Sequence, residues 1–215
     1  MNLLYGKARW GTEPLPLEAF LQRTRACGFD ATEIDLTTLE LPPDEVAALH
    51  RAYGLQCIAQ IVLQGDCVED QLRFLEDWFP VALDHEPLLV NFHTGRDFFS
   101  FEENLRVIRR IQELGKTHGV PVVHETHRGR AFYSAVETRK YLEACPEMRL
   151  NADFSHWMVV HESDLSNQAE TVRRAVQRSR YVHARVGYEQ GPQVPHPRAP
   201  EWARHVEVHL ALWRG

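Results

Sequence analysis

Three junctions along the chain are spelled alike: RACGFDATEID, RAYGLQCIAQIV and KTHGVPVVHE. Each closes a helical pattern on a glycine, Gly28, Gly54 or Gly119, and runs straight into an apolar, partly β-branched segment. A glycine just past a helix end takes the left-handed conformation that a side chain resists, so the spelling marks a helix turning back into a strand. A chain that repeats this turn has few options. Regular alternation of strand and helix demands a parallel sheet covered by helices.

Helix starts agree. Ser100-Phe-Glu-Glu103 and Ser134-Ala-Val-Glu137 match the capping box, in which serine and glutamate satisfy orphan backbone N–H groups reciprocally. From Phe101, the residues Leu105, Ile108, Ile111 and Leu114 recur at spacings of three and four, which gives one buried helical face. The pattern predicts strands near 2–9, 30–36, 55–63, 87–94, 120–126, 148–154 and 180–186. Helices are expected near 15–27, 43–53, 68–83, 101–118, 135–145, 166–178 and 200–214. Seven βα units with no visible reversal favour a (β/α) TIM-type barrel, α/β in class, as a single domain over 1–215. An eighth strand is missing from the series, so an open edge is expected, covered by a second subunit or by a segment outside the sequence.

Composition narrows the function. The chain carries 44% hydrophobic and 25% charged residues, an ordinary globular profile. A net charge of −6 gives no general attraction to phosphate backbones, which argues against a nucleic-acid partner. No apolar run is long enough to span a membrane, and the N-terminus has no secretory core, so a cytoplasmic location is expected. Four scattered cysteines without a CxxC pair read as free buried thiols.

Twelve histidines are many for 215 residues, and their placement matters. In a barrel of this kind the site lies at the C-terminal ends of the strands. Those ends carry Glu33 and Asp35, then Gln60, then His93, then Glu125 and His127, then Asp153 and His156, then His183 and Arg185. Any one of these is more often a cap or a loop hydrogen-bonder, and Asp153 suits a helix cap. The recurrence on successive strands is what weakens that reading. Carboxylates and histidines converging on one point are costly to bury without a cation. Mixed nitrogen and oxygen donors suit one divalent ion: manganese, cobalt, zinc or magnesium.

In order, GFDATEIDL, VNFHTGRD, VVHETHRG, NADFSHW and HARVGYEQGP resemble the xylose-isomerase-like TIM-barrel superfamily over essentially the whole chain. That superfamily contains sugar isomerases and epimerases, dehydratases and apurinic-site endonucleases. The resemblance implies a metal held by Glu125, Asp153 and His183, while the fourth ligand, a glutamate on an eighth strand, has no counterpart. It implies Glu125 as catalytic base and His156, from the Asp-x-x-His spacing, as a further catalytic or substrate-contacting group. Glu33, His93, His127 and Arg185 are then the expected substrate-binding residues. The implied chemistry is isomerisation or epimerisation of a sugar, sugar phosphate or small hydroxy-ketoacid by proton transfer next to a carbonyl.

Three alternatives share or neighbour this reading. A dehydratase would use the same metal and base to expel water. A barrel lacking the fourth ligand would only bind a sugar or form a homo-oligomer through its open edge. A Schiff-base aldolase needs a desolvated lysine in the mouth, and Lys7, Lys116 and Lys140 are poorly placed for it, Lys7 reading as an ion-pair former.

Overall fold

The computed structural model describes residues 3–214. Residue 2, where the first strand is expected to begin, lies outside them. The strands are β1 (Gly6–Ala8), β2 (Ala31–Asp35), β3 (Gln56–Val62), β4 (Leu89–His93), β5 (Val122–Glu125), β6 (Leu150–Ala152) and β7 (Ser179–Val182). The helices are α1 (Leu17–Ala26), α2 (Pro43–Tyr53), α3 (Val68–Asp84), α4 (Phe101–His118), α5 (Ala135–Ala144), α6 (Phe154–His161), α7 (Ala169–Arg178) and α8 (Ala203–Arg214). The strands form one sheet in chain order, β1 to β7. The pairs β1–β2, β2–β3, β5–β6 and β6–β7 run parallel. This is the α/β barrel fold of TIM type with seven strands and, among the described residues, no eighth.

The three signalling glycines behave as their positions require. Gly28, Gly54 and Gly119 sit at φ of 82°, 61° and 67°, each just past a helix end. Helix α4 buries Leu105, Ile108, Ile111 and Leu114, the face set by the apolar spacing. Its capping box is complete: Ser100 Oγ accepts from Glu103 N at 3.3 Å, and Glu103 Oε2 accepts from Ser100 N at 2.8 Å. Replacing such a cap costs about 1 kcal/mol. Ser100→Ala should therefore lower urea stability by about that amount with an unchanged m-value. The second box closes only by half, since Glu137 N donates to Ser134 Oγ while the Glu137 carboxylate takes Lys140 instead.

Two compact units share the chain, residues 1–92 with 110–122, and residues 93–109 with 123–215. In the first, Phe20, Leu21, Ile34, Val46, Ile61 and Phe79 are buried, and the Phe79 and Phe92 rings stack at 6.2 Å. Lys7 departs from expectation here. Its ammonium donates to the Ala8 carbonyl and lies 5.9 Å from the centre of the Phe20 ring, in place of an ion pair. The second unit is built on Phe132, Tyr141, Phe154 and Trp157, whose indole N–H donates to the Phe132 carbonyl at 2.9 Å.

Three expectations need correction. Helix α6 falls where only a strand end and a loop are expected, because Phe154 to Met158 are buried on every side and show no amphipathic period. The expected helix over 166–178 begins as a 3₁₀ turn at Ser166–Gln168 and becomes α7 only at Ala169. Cys57 and Cys145 are buried, but Cys27 and Cys67 are exposed. None of the described helices is long and apolar enough to cross a membrane.

Helix α8 brings a buried histidine. Gly187 N–H donates to His209 Nε2 at 2.9 Å, and burial pushes that ring down to about 4 from 6.5. A depressed folded value means the unfolded chain binds the proton more readily. The ring's contribution is complete above about pH 6.5 and is lost as pH falls towards 4, at about 1.4 kcal/mol per unit. Urea unfolding should accordingly show about 2 kcal/mol less stability at pH 5 than at pH 7 from this ring. His209→Gln should remove that part of the slope.

Candidate metal centre

The second unit gathers seven of the expected site residues. Glu125 ends β5, and its carboxylate is buried. His93, at the end of β4, approaches Glu125 Oε2 at 2.9 Å, and His183, just beyond β7, brings Nδ1 to 3.5 Å from Glu125 Oε1. The same His183 Nδ1 lies 3.8 Å from Asp153 Oδ2. One imidazole edge thus faces both carboxylates.

Asp153 has two tasks. Its Oδ1 accepts from Ser155 N at 3.1 Å and so caps α6, as its position before Ser155 suggests. Its Oδ2 accepts from Arg185 Nη2 at 2.5 Å. The backbone around it is held from β5: Asp153 N donates to Thr126 Oγ1 at 2.7 Å, and Thr126 Oγ1 donates to the Asp153 carbonyl at 2.9 Å. His156, one turn into α6, is buried with Nε2 accepting from Arg185 Nη2 at 2.7 Å. His127 packs against it at a tilt, with ring centres 3.9 Å apart, and the His93 ring lies 4.4 Å from that of His127.

Electrostatics follow from this packing. Burial alone would raise Glu125, but His93 and His183 together hold it well below the usual carboxylate range. Burial opposes ionisation of Asp153 as well, yet the bond to His183 and the Arg185 charge bring it down to about 2. Burial, followed by the His93 and His156 rings, pushes His127 down to about 3. His156 is pushed to about 4 by burial against the pull of Asp153. At neutral pH the centre therefore presents two ionised carboxylates beside neutral rings at His127 and His156.

Asp35 is spent locally, its Oδ1 accepting from Thr37 N at 3.0 Å and from the Thr37 hydroxyl at 2.6 Å. Glu33 belongs to the first unit, buried on β2, where its Oε1 accepts from Asn91 Nδ2 at 2.8 Å and from Gln60 Nε2 at 3.5 Å. Asn151 is a residue that strand-end reasoning passes over. Its Nδ2 lies 3.3 Å from Glu125 Oε2 and 3.1 Å from His183 Nε2, and its Oδ1 is buried without a hydrogen-bond partner. Its signal was present, since it stands two residues before Asp153 on one strand face.

The donor set fits a divalent ion. Metal–ligand bonds near 2 Å put neighbouring donor atoms about 3–4 Å apart. The 3.5 Å and 3.8 Å spacings around His183 have that size. Two wider groupings, His93–Glu125–His127 and Glu125–Asp153–His156, also offer donor atoms within 4.8 Å of one another.

Fold and site together define an α/β barrel with a carboxylate–imidazole centre able to bind metal. The family model of the xylose isomerase-like TIM barrel matches residues 21–207, and the chain belongs to that family. Solved structures share its fold. A xylose isomerase-like TIM barrel protein from Mycobacterium smegmatis in complex with magnesium is 14% identical, over 97% of this chain and 86% of that one, with a TM-score of 0.66. An AP endonuclease of family 2 from Brucella melitensis is 13% identical over 98% and 89%, TM-score 0.66. The probable 3-DHS dehydratase AsbF of Bacillus anthracis, involved in petrobactin synthesis, is 16% identical over 93% and 78%, TM-score 0.65. A comparison with curated proteins gives no significant match.

Proposed function

We propose that the chain is a metal-dependent isomerase or epimerase that moves a proton next to the carbonyl of a sugar, sugar phosphate or small hydroxy-ketoacid. The observation that supports it is the single imidazole edge of His183 set between two buried carboxylates, 3.5 Å from Glu125 and 3.8 Å from Asp153. In this reading Glu125, Asp153 and His183 would hold one divalent ion. When bound, that ion supplies Lewis acidity, which stabilises negative charge developing on a carbonyl oxygen.

The remaining steps belong to the side chains. Glu125 Oε2 takes the proton as the C–H bond breaks and its electron pair moves into an enediolate. His93 Nε2, at 2.9 Å from that oxygen, donates to the ionised carboxylate and holds it in place. His127 and His156 are the substrate contacts nearest to it, and His156 is the second candidate for returning the proton. Arg185 fixes Asp153 and, in this reading, also marks the polar limit of the substrate pocket.

The test is deuterium wash-in. Protein loaded with manganese or cobalt, given a panel of ketoses and hydroxy-ketoacids in D₂O, should replace the α-proton with deuterium in an ion-dependent way. Loss of a substrate hydroxyl would instead assign the dehydratase chemistry. Neither reaction with any member of the panel would contradict the proposal. Ion affinity should also fall as pH drops below about 6, because a coordinating imidazole must be neutral. Asp153, at about 2, stays ionised throughout that range.

A further inference from the structure

The guanidinium of Arg185 is bound up within the centre. Its Nη2 lies 2.5 Å from Asp153 Oδ2 and 2.7 Å from His156 Nε2, and its Nε donates to Ser155 Oγ at 3.1 Å. Arginine carries only donors, so His156 Nε2 is the acceptor in that contact. The two acceptors differ in capacity. A carboxylate oxygen has lone pairs for both a guanidinium and an ion, whereas an imidazole nitrogen has one. His156 Nε2 can accept from Arg185 or ligate a metal, but it cannot do both.

We infer that Arg185 is a specificity-determining residue for the metal: by occupying the His156 lone pair it keeps that ring out of the coordination shell. The inference rests on the proposed metal centre and concerns which residues complete it. Glu125, Asp153 and His156 stand close enough to form a three-donor set, and Arg185 lies against two of the three. Its positive charge also opposes a second cation beside Asp153. Arg185 therefore confines this chain to the set centred on His183 and leaves His156 to face the substrate.

A double-mutant cycle on ion affinity tests this without reference to turnover. Manganese and zinc dissociation constants are measured by chelator competition in the intact chain, His156→Gln, Arg185→Met and the double variant. With Arg185 present, His156→Gln should change affinity by less than about 3-fold. With Arg185→Met, the released ring becomes a ligand, so His156→Gln should then weaken binding by at least about 10-fold. An independent readout keeps Arg185 intact, in case Arg185→Met does not fold. In the cobalt-loaded chain, the hyperfine-shifted imidazole N–H signals should be the same in number with and without His156→Gln.

A loss of 10-fold or more on His156→Gln with Arg185 present, or a lost imidazole signal, would overturn the inference and leave the metal centre standing. An unaltered chain that binds no ion would instead defeat the functional reading. Ion binding gained by Arg185→Met in that case would still support Arg185 as the residue that blocks it. No binding in any of the four proteins would overturn both.

Discussion

Asp153→Asn should cost the protein its ion and part of its stability at once. The substitution keeps an oxygen for the Ser155 N–H that caps α6 and removes only the charge. Arg185 then loses the partner held at 2.5 Å, and Asp153 is fully buried while the Arg185 side chain is 18% exposed. Removing one partner of a buried ion pair typically costs about 3–5 kcal/mol, and the partial exposure of Arg185 places this case at the lower end. Linkage gives the same order. Asp153 titrates near 2 in the folded chain against 3.8 free, a depressed value. That contribution is complete above about pH 4 and is lost as pH falls towards 2. Urea unfolding at pH 7, with chelator present, should show Asp153→Asn less stable by about 3 kcal/mol. Ion affinity should fall by about 100-fold or more. An asparagine variant as stable as the parent would mean that Arg185 finds another counter-charge.

Glu125→Gln carries the largest expected effect on reaction rate. The glutamine matches the shape of the carboxylate and can still meet His93 and Asn151 through its amide. It cannot accept a proton. Removing a general base typically costs about 10²–10⁴ in rate, and losing the charge facing His183 adds weaker ion binding to that. The variant should therefore abolish deuterium wash-in at the substrate carbon even when manganese is raised to restore occupancy. Wash-in at the parent rate under saturating ion would move the base elsewhere. His127 would be the next candidate, because its Nδ1–H is given to the Arg128 carbonyl at 2.6 Å and Nε2 keeps its lone pair.

Much of the fold was legible because it is written in local chemistry. Gly28, Gly54 and Gly119 could be placed from sequence because a positive φ after a helix has few other occupants. The α4 face and its Ser100–Glu103 cap follow from spacing alone. Helix α6 was not legible for an equally physical reason. A helix whose residues Phe154 to Met158 are all buried shows no amphipathic stripe, so its sequence carries no helical period. Its one marker is the cap, Asp153 two residues before Ser155, and that marker competes with the reading of Asp153 as a ligand. Both roles are compatible, since one oxygen serves each.

Sequence marks residue types at strand ends, but not their partners. It marks Arg185 as a substrate-binding group and carries no sign of its bonds to Asp153, Ser155 and His156. Such pairings depend on three separated segments meeting, and spacing along the chain carries no trace of them. Asn151 stands inside β6 and not at its end, so the strand-end pattern does not mark it. Its place beside both Glu125 and His183 comes from the period of two along β6. Asp35 gives one oxygen to Thr37, two residues on, a pairing that the strand-end pattern does not carry.

Metal analysis tests most directly whether Glu125, Asp153 and His183 hold one divalent ion. Protein purified without chelator, or reloaded with manganese, should carry close to one ion per chain. The ion should leave when Asp153→Asn and His183→Gln are combined, and it should leave the unaltered protein as pH drops below about 6. A chain that holds no manganese, cobalt, zinc or magnesium at pH 7.5, or that keeps its full ion in the combined variant, would contradict the account.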